Sequence, residues 1–171
     1  MVLSAGTLAL MTVFLVAVMP SWHLLVCKLD VENLQLALNM YAGDYGAFPP
    51  ADRWCDRVMP YVQNDDDVFV CPVRPQLRCG YAMNRALGNV RPEEVSTDPA
   101  KTVLLFESDA GWNASGGIEL LPKKPCHRGW DVYGYVGGTM NTEHPSMEAI
   151  PRTAAIGGSA GIFWDPRASK R

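Results

Sequence analysis

Apolar residues recur at helical spacing between residues 27 and 45. They step by four, three, four, three and four positions, which is one continuous stripe along an α-helix; the stripe comprises Cys27, Val31, Leu34, Leu38, Tyr41 and Tyr45. Neither glycine nor proline interrupts residues 21–42, whereas Gly43, Gly46 and Pro49–Pro50 follow at once. The pattern predicts one long amphipathic helix that ends at a glycine- and proline-rich stop.

The segment upstream of this stripe carries no charged side chain. No Asp, Glu, Lys or Arg precedes Lys28, and the apolar run exceeds the length of about 20 residues that crosses a bilayer. We therefore expect residues 1–27 to be the transmembrane half of the N-terminal helix and residues 28–42 its amphipathic half. A cleaved secretory signal lacks its basic start here, and a buried soluble helix accounts less well for Trp22, which fits an interfacial anchor.

The remainder of the chain alternates short apolar runs with turns, in keeping with its 15 glycines and 13 prolines. The run "KTVLLFES" is apolar and β-branched with charge at both ends, and it predicts a central strand over residues 102–106, Thr102 to Phe106. Weaker strands are predicted at residues 117–122 and 131–140. One long helix with several short strands indicates an α+β fold, in which the helix packs on a small, loop-rich antiparallel β-sheet.

The predicted sheet belongs to a head, which we define as residues 43–165, followed by a frayed tail at residues 166–171. The formal net charge is −3 and no run of Lys or Arg occurs, so we expect no nucleic-acid partner. Nothing in the sequence predicts catalytic residues or a cofactor-binding motif, and we expect the chain not to be an enzyme.

Five cysteines suggest covalent cross-links, provided that the head lies outside the cytoplasm. Cys71 and Cys79 bracket the short loop "PVRPQLR" and are predicted to form a disulfide. A bond between Cys55 and Cys126 is a second possibility, which leaves Cys27 unpaired at the membrane exit.

Five stretches together suggest a family: "CKLDVENLQLALNMYAGDYGAFPP", "MPYVQNDDDVFVCP", "YAMNRALG", "DPAKTVLLFESDAGWNASGGIELLP" and "HRGWDVYGYVGGTM". In this order they resemble bacterial type IV pilin-like proteins, in particular the pseudopilin-like group common in planctomycete-type bacteria, which is related to the major pseudopilin of type II secretion. The prepilin processing motif is degenerate, because no basic leader ending in glycine occurs and no acidic residue precedes Asp30.

The resemblance implies a pilin-like structural subunit of a secretion or pilus-like assembly. Such a protein is a single-pass protein of the bacterial inner membrane with its head outside the cytoplasm, and its partners are membrane lipid, other pilin-like subunits or the secretion machinery. The helix would dock on the head through Leu34, Leu38 and Tyr41, and Tyr45 and Phe48 would fix the exit from the helix. The alternative is a membrane-tethered binding module that does not polymerise and presents Trp112, Trp130 and Trp164.

One group of polar residues could bind a cation. Glu107 and Asp109 follow the predicted central strand, where residues two apart share a face. Together with His127 they could hold a hard cation such as Ca²⁺. The alternative is a polar cluster that hydrogen-bonds the backbone of the surrounding loops.

Overall fold

The computed structural model describes residue 6 and residues 19–127, 129–138, 147–151 and 162–167, with the backbone alone for residues 19–21 and 147–151. Its longest element is helix α1, Met19–Tyr45. The helix ends where Gly46 adopts a φ of +77° and its N–H donates to the carbonyl of Ala42 at 2.8 Å. This left-handed cap suits glycine, and the predicted long helix is confirmed over the described residues.

A five-stranded sheet in the order β3-β1-β2-β4-β5 forms the body of the head. The strands are β1 (Tyr81–Asn84), β2 (Val103–Glu107), β3 (Ser115–Gly116), β4 (Trp130–Tyr135) and β5 (Met147–Pro151). Three neighbouring pairs are antiparallel, but β1 and β3 pair in parallel. The sheet is therefore mixed, and the prediction of an antiparallel sheet is wrong at this edge because the loop after β2 brings the chain back alongside β1.

The predicted central strand is β2, and all five of its residues are buried. The predicted strand at residues 117–122 instead contains a single 3₁₀ turn, Ile118–Leu120. A short helix α2, Trp54–Val58, lies between α1 and the sheet in sequence and packs against α1. One long helix on a small mixed sheet confirms the α+β class.

One side of α1 is buried against the head, and we call it the inner stripe: Cys27, Val31, Leu34, Leu38 and Ala42. The helix crosses β4 closely at Gly134, where an added Cβ would lie 3.0 Å from Val31 Cγ1. The side-chain amide of Gln35 donates to the carbonyl of Tyr135 in the same strand.

The residues predicted to dock α1 on the head behave differently from one another. Leu34, Leu38 and Phe48 are buried, and Tyr41 is partly buried against the core. Tyr45 is 68% exposed, so it does not dock the helix. As the last residue of α1 it instead stacks on Tyr41, with ring centroids 4.4 Å apart.

Within the part of the chain that the structure describes, no helix has both the length and the apolar character needed to cross a membrane. The predicted transmembrane half, residues 1–27, lies largely outside the described residues. Where it is described, Leu24 and Cys27 already pack against the head.

Pro166 is the first residue of the predicted frayed tail, and a hydrogen bond attaches it to the head: its carbonyl accepts the N–H of Ser96 at 3.0 Å. Residues 168–171 lie outside the described residues.

Candidate functional site

Five side chains with ligand or acid–base chemistry meet where α1 covers the edge of the head. This group, the Cys27 cluster, comprises Cys27, Cys71, Glu107, Cys126 and His127, and all five are buried. Cys27 comes from the inner stripe of α1, Cys71 from the loop before β1, and Glu107 from the end of β2. Cys126 and His127 lie in the turn that leads into β4. Segments far apart in sequence therefore converge on one point.

The distances within the Cys27 cluster are short. The sulfurs of Cys27 and Cys71 lie 3.2 Å apart, and Cys71 Sγ lies 3.8 Å from Glu107 Oε1. The same carboxylate oxygen lies 2.9 Å from His127 Nε2. One ligand atom from each of these four residues falls within 4.8 Å of the other three.

The backbone fixes Glu107 and His127 in place. The N–H of Val132 in β4 donates to Glu107 Oε2 at 2.8 Å, which orients the carboxylate. His127 and Trp130 exchange two backbone hydrogen bonds of 3.1 Å across a tight turn. Gly129 closes that turn with a φ of +100°, a conformation that side chains rarely tolerate. The imidazole is thus held next to the end of β2.

Close backbone packing fixes Cys71 as well. An added Cβ at Gly80 would lie 2.5 Å from Cys71 Cβ, so the loop can close only over a glycine. The loop closure also explains why the predicted Cys71–Cys79 disulfide is wrong: successive residues of an extended chain face opposite sides, and Cys79 is turned away from Cys71. None of the five cysteines is joined to another in a disulfide.

Cys79 instead faces Cys55, with the sulfurs 3.9 Å apart. Backbone groups surround this second pair: the N–H of Asn113 donates to Cys55 Sγ at 3.2 Å, and Cys79 Sγ donates to the carbonyl of Tyr81 at 3.2 Å. The other possible disulfide, between Cys55 and Cys126, is also absent, because Cys126 contacts Arg74 and Cys71.

The environment of the Cys27 cluster favours a thiolate at Cys71. Hydrogen bonds from the thiols of Cys126 and Cys27 lower the pKa of Cys71. The pKa of Cys126 is raised, because its proton is donated to Cys71 and because the group is buried. At the outer edge the guanidinium of Arg74 donates to Cys126 Sγ at 2.8 Å.

Glu107 and His127 share a buried charge-assisted contact. Burial raises the pKa of the Glu107 carboxyl, against the hydrogen bond to His127. Burial disfavours a charged His127, but the hydrogen bond and the charge of Glu107 outweigh it and raise the pKa of the imidazole. A carboxylate, an imidazole and a thiolate that face one another can bind a cation or relay a proton.

Two of the three residues predicted as a cation site therefore come together. Asp109 does not join them: β2 ends at Glu107 and the chain bends, which leaves Asp109 exposed. The sulfurs of Cys27 and Cys71 occupy the place that the prediction gave to a carboxylate. Because sulfur is a soft donor, the all-oxygen environment that Ca²⁺ prefers is not formed here.

The contribution of α1 to the site was missed in the sequence. The helical spacing already placed Cys27 on the stripe that faces the head, and this was the available signal. The contribution of Cys71 had no local signal, because it depends on how a loop folds against a helix 44 residues away.

A second feature of α1 lies on the side opposite the head. We call it the outer stripe: Trp22, Leu25, Leu29, Leu36 and Met40, whose side chains are 45% to 57% exposed. These residues step by three, four, seven and four positions. At 3.6 residues per turn, the outer and inner stripes point about 180° apart.

The three tryptophans of the binding-module alternative lie in different environments. Trp112 packs on Phe69, with ring centroids 5.0 Å apart, and donates through Nε1 to Asp56 at 2.8 Å. Trp164 packs edge-on against Phe106 at 5.0 Å. Trp130 is 44% exposed. Trp112 and Trp164 are therefore already engaged in packing within the head.

Comparison with known proteins gives no relative from which a role could be transferred: no protein-family model, no curated protein and no solved structure matches this chain.

Proposed function

We propose that this chain is a non-enzymatic, pilin-like structural subunit that is anchored in the bacterial inner membrane by its N-terminal helix. In this proposal the head lies outside the cytoplasm, and copies of the chain associate side by side through the outer stripe of α1. The partners are membrane lipid, further pilin-like subunits and the secretion machinery that they serve. The exposed outer stripe is the single observation that carries the proposal.

Exposed apolar surface of this kind is costly for a protein that remains monomeric. Scattered apolar residues on a surface are ordinary, but contiguous patches mark interaction sites. The outer stripe extends over five turns of one helix as two apolar patches, Trp22–Leu29 and Leu36–Met40, with the polar Glu32 and Asn33 between them. Its steps of three, four and seven are those of a helix–helix seam, and a second copy of the same stripe is the partner that matches them.

The surroundings of the outer stripe favour packing of a neighbouring helix. Beside it, a groove of about 340 Å³ opens between α1 and the segment that follows α2; it is lined by Asn33, Leu36, Tyr61, Val62, Gln63, Asp65 and Val68. Such a groove can accept side chains of a neighbouring helix. In the sequence, the uncharged residues 1–18 precede the outer stripe, and in this proposal they would sit in lipid.

The test is the association state of the full chain in membranes, measured by chemical cross-linking and by native mass spectrometry after extraction. Leu29→Asp together with Leu36→Asp places two charges on the outer stripe and should weaken association at least about tenfold, since each charge must be desolvated at the seam. Thermal unfolding should stay close to that of the wild type, because both positions are exposed.

The matched control is Val73→Asp with Ile118→Asp. Both residues are apolar, both are 39% exposed, and both lie on the head instead of the helix, so this variant should associate like the wild type. A wild-type chain that is monomeric in the membrane, or equal association of the two double variants, would overturn the proposal. It would then favour the tethered module that does not polymerise.

A further inference from the structure

We propose that the Cys27 cluster binds a thiophilic divalent cation such as Zn²⁺. The ligand atoms are the four that lie within 4.8 Å of one another: Cys27 Sγ, Cys71 Sγ, Glu107 Oε1 and His127 Nε2. This inference is independent of the proposed assembly function, because it rests on the buried side of α1 and not on its exposed side.

The spacing of these atoms fits a tetrahedral ion. With metal–sulfur and metal–nitrogen distances of about 2.3 and 2.0 Å, the ligand atoms of such a site lie roughly 3.3–3.8 Å apart. The two sulfurs are 3.2 Å apart, Cys71 Sγ and Glu107 Oε1 are 3.8 Å apart, and Glu107 Oε1 and His127 Nε2 are 2.9 Å apart. Sulfur pairs belong at the long end of this range and nitrogen–oxygen pairs at the short end, so these three separations would have to change by roughly 0.3–0.6 Å on metal binding.

The donor set selects the class of metal. Two thiolates with an imidazole suit zinc and its neighbours, whereas calcium and magnesium prefer sites built wholly from oxygen. Binding would release the thiol proton of Cys27 and the proton shared by Glu107 and His127, and Cys71 would bind as the thiolate that its surroundings already favour. Two thiolates and one carboxylate would then face a double positive charge, which leaves one negative charge in the site.

Groups around the site can stabilise that remaining charge. The N–H of Val132 donates to the second carboxylate oxygen of Glu107. Cys126 touches Cys71 and accepts a hydrogen bond from the Arg74 guanidinium at 2.8 Å. Outer contacts of this kind orient ligands and strengthen metal binding.

A bound cation would cross-link separate segments of the fold. The four ligands come from α1, the loop before β1, the end of β2 and the turn before β4, so one ion would tie the helix to three parts of the head. A disulfide between Cys27 and Cys71 is the competing use of the two sulfurs. A disulfide would use only the two sulfurs and would not involve the buried Glu107 and His127 beside them. A cation would bind all four converging ligand atoms, and for this reason we favour the cation.

The experiment uses the full chain, purified without chelator and then titrated with Zn²⁺ and with Co²⁺. We expect one equivalent of metal per chain by elemental mass spectrometry. The Co²⁺ form should show thiolate-to-metal charge transfer and the intense visible bands of a tetrahedral ion. Glu107→Gln should retain the thiolate signature but weaken Zn²⁺ affinity at least about tenfold.

Cys27→Ser and Cys71→Ser should each lose about half or more of the thiolate-to-cobalt charge-transfer intensity, because each removes one of the two sulfur ligands. The matched control is Cys55→Ser, which replaces an equally buried cysteine that lies beside Cys79 and outside the Cys27 cluster; it should bind Co²⁺ like the wild type. The titration of the wild type stands even if a serine variant does not fold.

Three results would overturn the proposal. The first is a wild-type chain that binds neither Zn²⁺ nor Co²⁺ when its thiols are reduced. The second is loss of the cobalt signature in Cys55→Ser while Cys27→Ser keeps it. The third is peptide mapping of the chain from its native membrane that finds Cys27 and Cys71 joined by a disulfide and no metal bound.

Discussion

The inner and outer stripes of α1 are built from similar apolar residues, but one is buried against the head and the other is exposed. Leu38 is fully buried, whereas Leu36, two residues earlier, is 45% exposed. Helical spacing identifies an apolar stripe but does not say what covers it. A helix that carries two such stripes can be fixed to its own domain by one of them and to a neighbour by the other.

The energetic consequence follows from the area that each stripe removes from water. Fully burying a leucine side chain contributes about 1.5–3 kcal/mol relative to leaving it exposed. The inner stripe therefore stabilises the single chain, while the outer stripe contributes little until a partner covers it. The two stripes should accordingly respond to the same substitution in different ways.

The largest expected difference is between Leu38→Ala and Leu36→Ala. Leu38→Ala leaves a cavity between helix and head and should destabilise the chain by about 2–5 kcal/mol. Leu36→Ala should change the free energy of unfolding by less than about 0.5 kcal/mol. Thermal unfolding of the full chain measures both, and about 3 kcal/mol corresponds to a lower Tm by roughly 6–12 °C. Equal losses in the two variants would show that the stripes are not distinct.

A smaller effect is expected at the glycine over which α1 crosses the sheet. In Gly134→Ala the new Cβ would lie 3.0 Å from Val31 Cγ1 and 3.2 Å from Gln35 Oε1. The helix must move away, at a cost of about 1–3 kcal/mol. Gly43→Ala is the matched control within α1: its Cβ meets nothing within 4 Å, and alanine should stabilise the helix by about 0.5–1 kcal/mol. Thermal unfolding that shifts in the same direction for both variants would contradict this account of the contact.

The inner stripe could be predicted from the sequence because its signal is local. Leu34 and Leu38 are one turn apart, so spacing alone places them on one face. The outer stripe is harder to recognise in the sequence, because Glu32 and Asn33 interrupt its apolar spacing between Leu29 and Leu36.

The Cys27 cluster could be predicted only in part. Glu107 was a candidate because it lies at the end of the predicted central strand, and His127 was a candidate because its imidazole could complete the same cation site. Asp109 failed as a candidate because the strand ended two residues before it, and strand ends are the least certain part of such a pattern. The pairing of Cys71 with Cys27 depends on the closure of a loop over Gly80, and nothing in the local sequence specifies that contact.

The smallest expected effect concerns Asp30, at the border between the two stripes. Burial raises the pKa of its carboxyl to about 7, although the hydroxyl of Tyr81 hydrogen-bonds to it. The folded chain therefore holds this proton more tightly than the unfolded chain, in which an Asp titrates near about 3.9. Stability from Asp30 is fully present below the unfolded pKa and is lost as the pH rises through about 7.

Asp30→Asn keeps the side chain neutral at every pH and should remove this loss. We expect the variant to gain stability relative to the wild type as the pH rises from about 5 to about 8, because only the wild type must then ionise a partly buried acid. Thermal unfolding of the metal-free chain across this pH range measures the difference. Asp52→Asn, at an exposed position of the head, is the control and should follow the wild type. If the stability of Asp30→Asn and of the wild type instead changed with pH in parallel, the Asp30 carboxyl would be in contact with water. The boundary between the exposed and the buried face of α1 would then lie deeper in the helix–head contact.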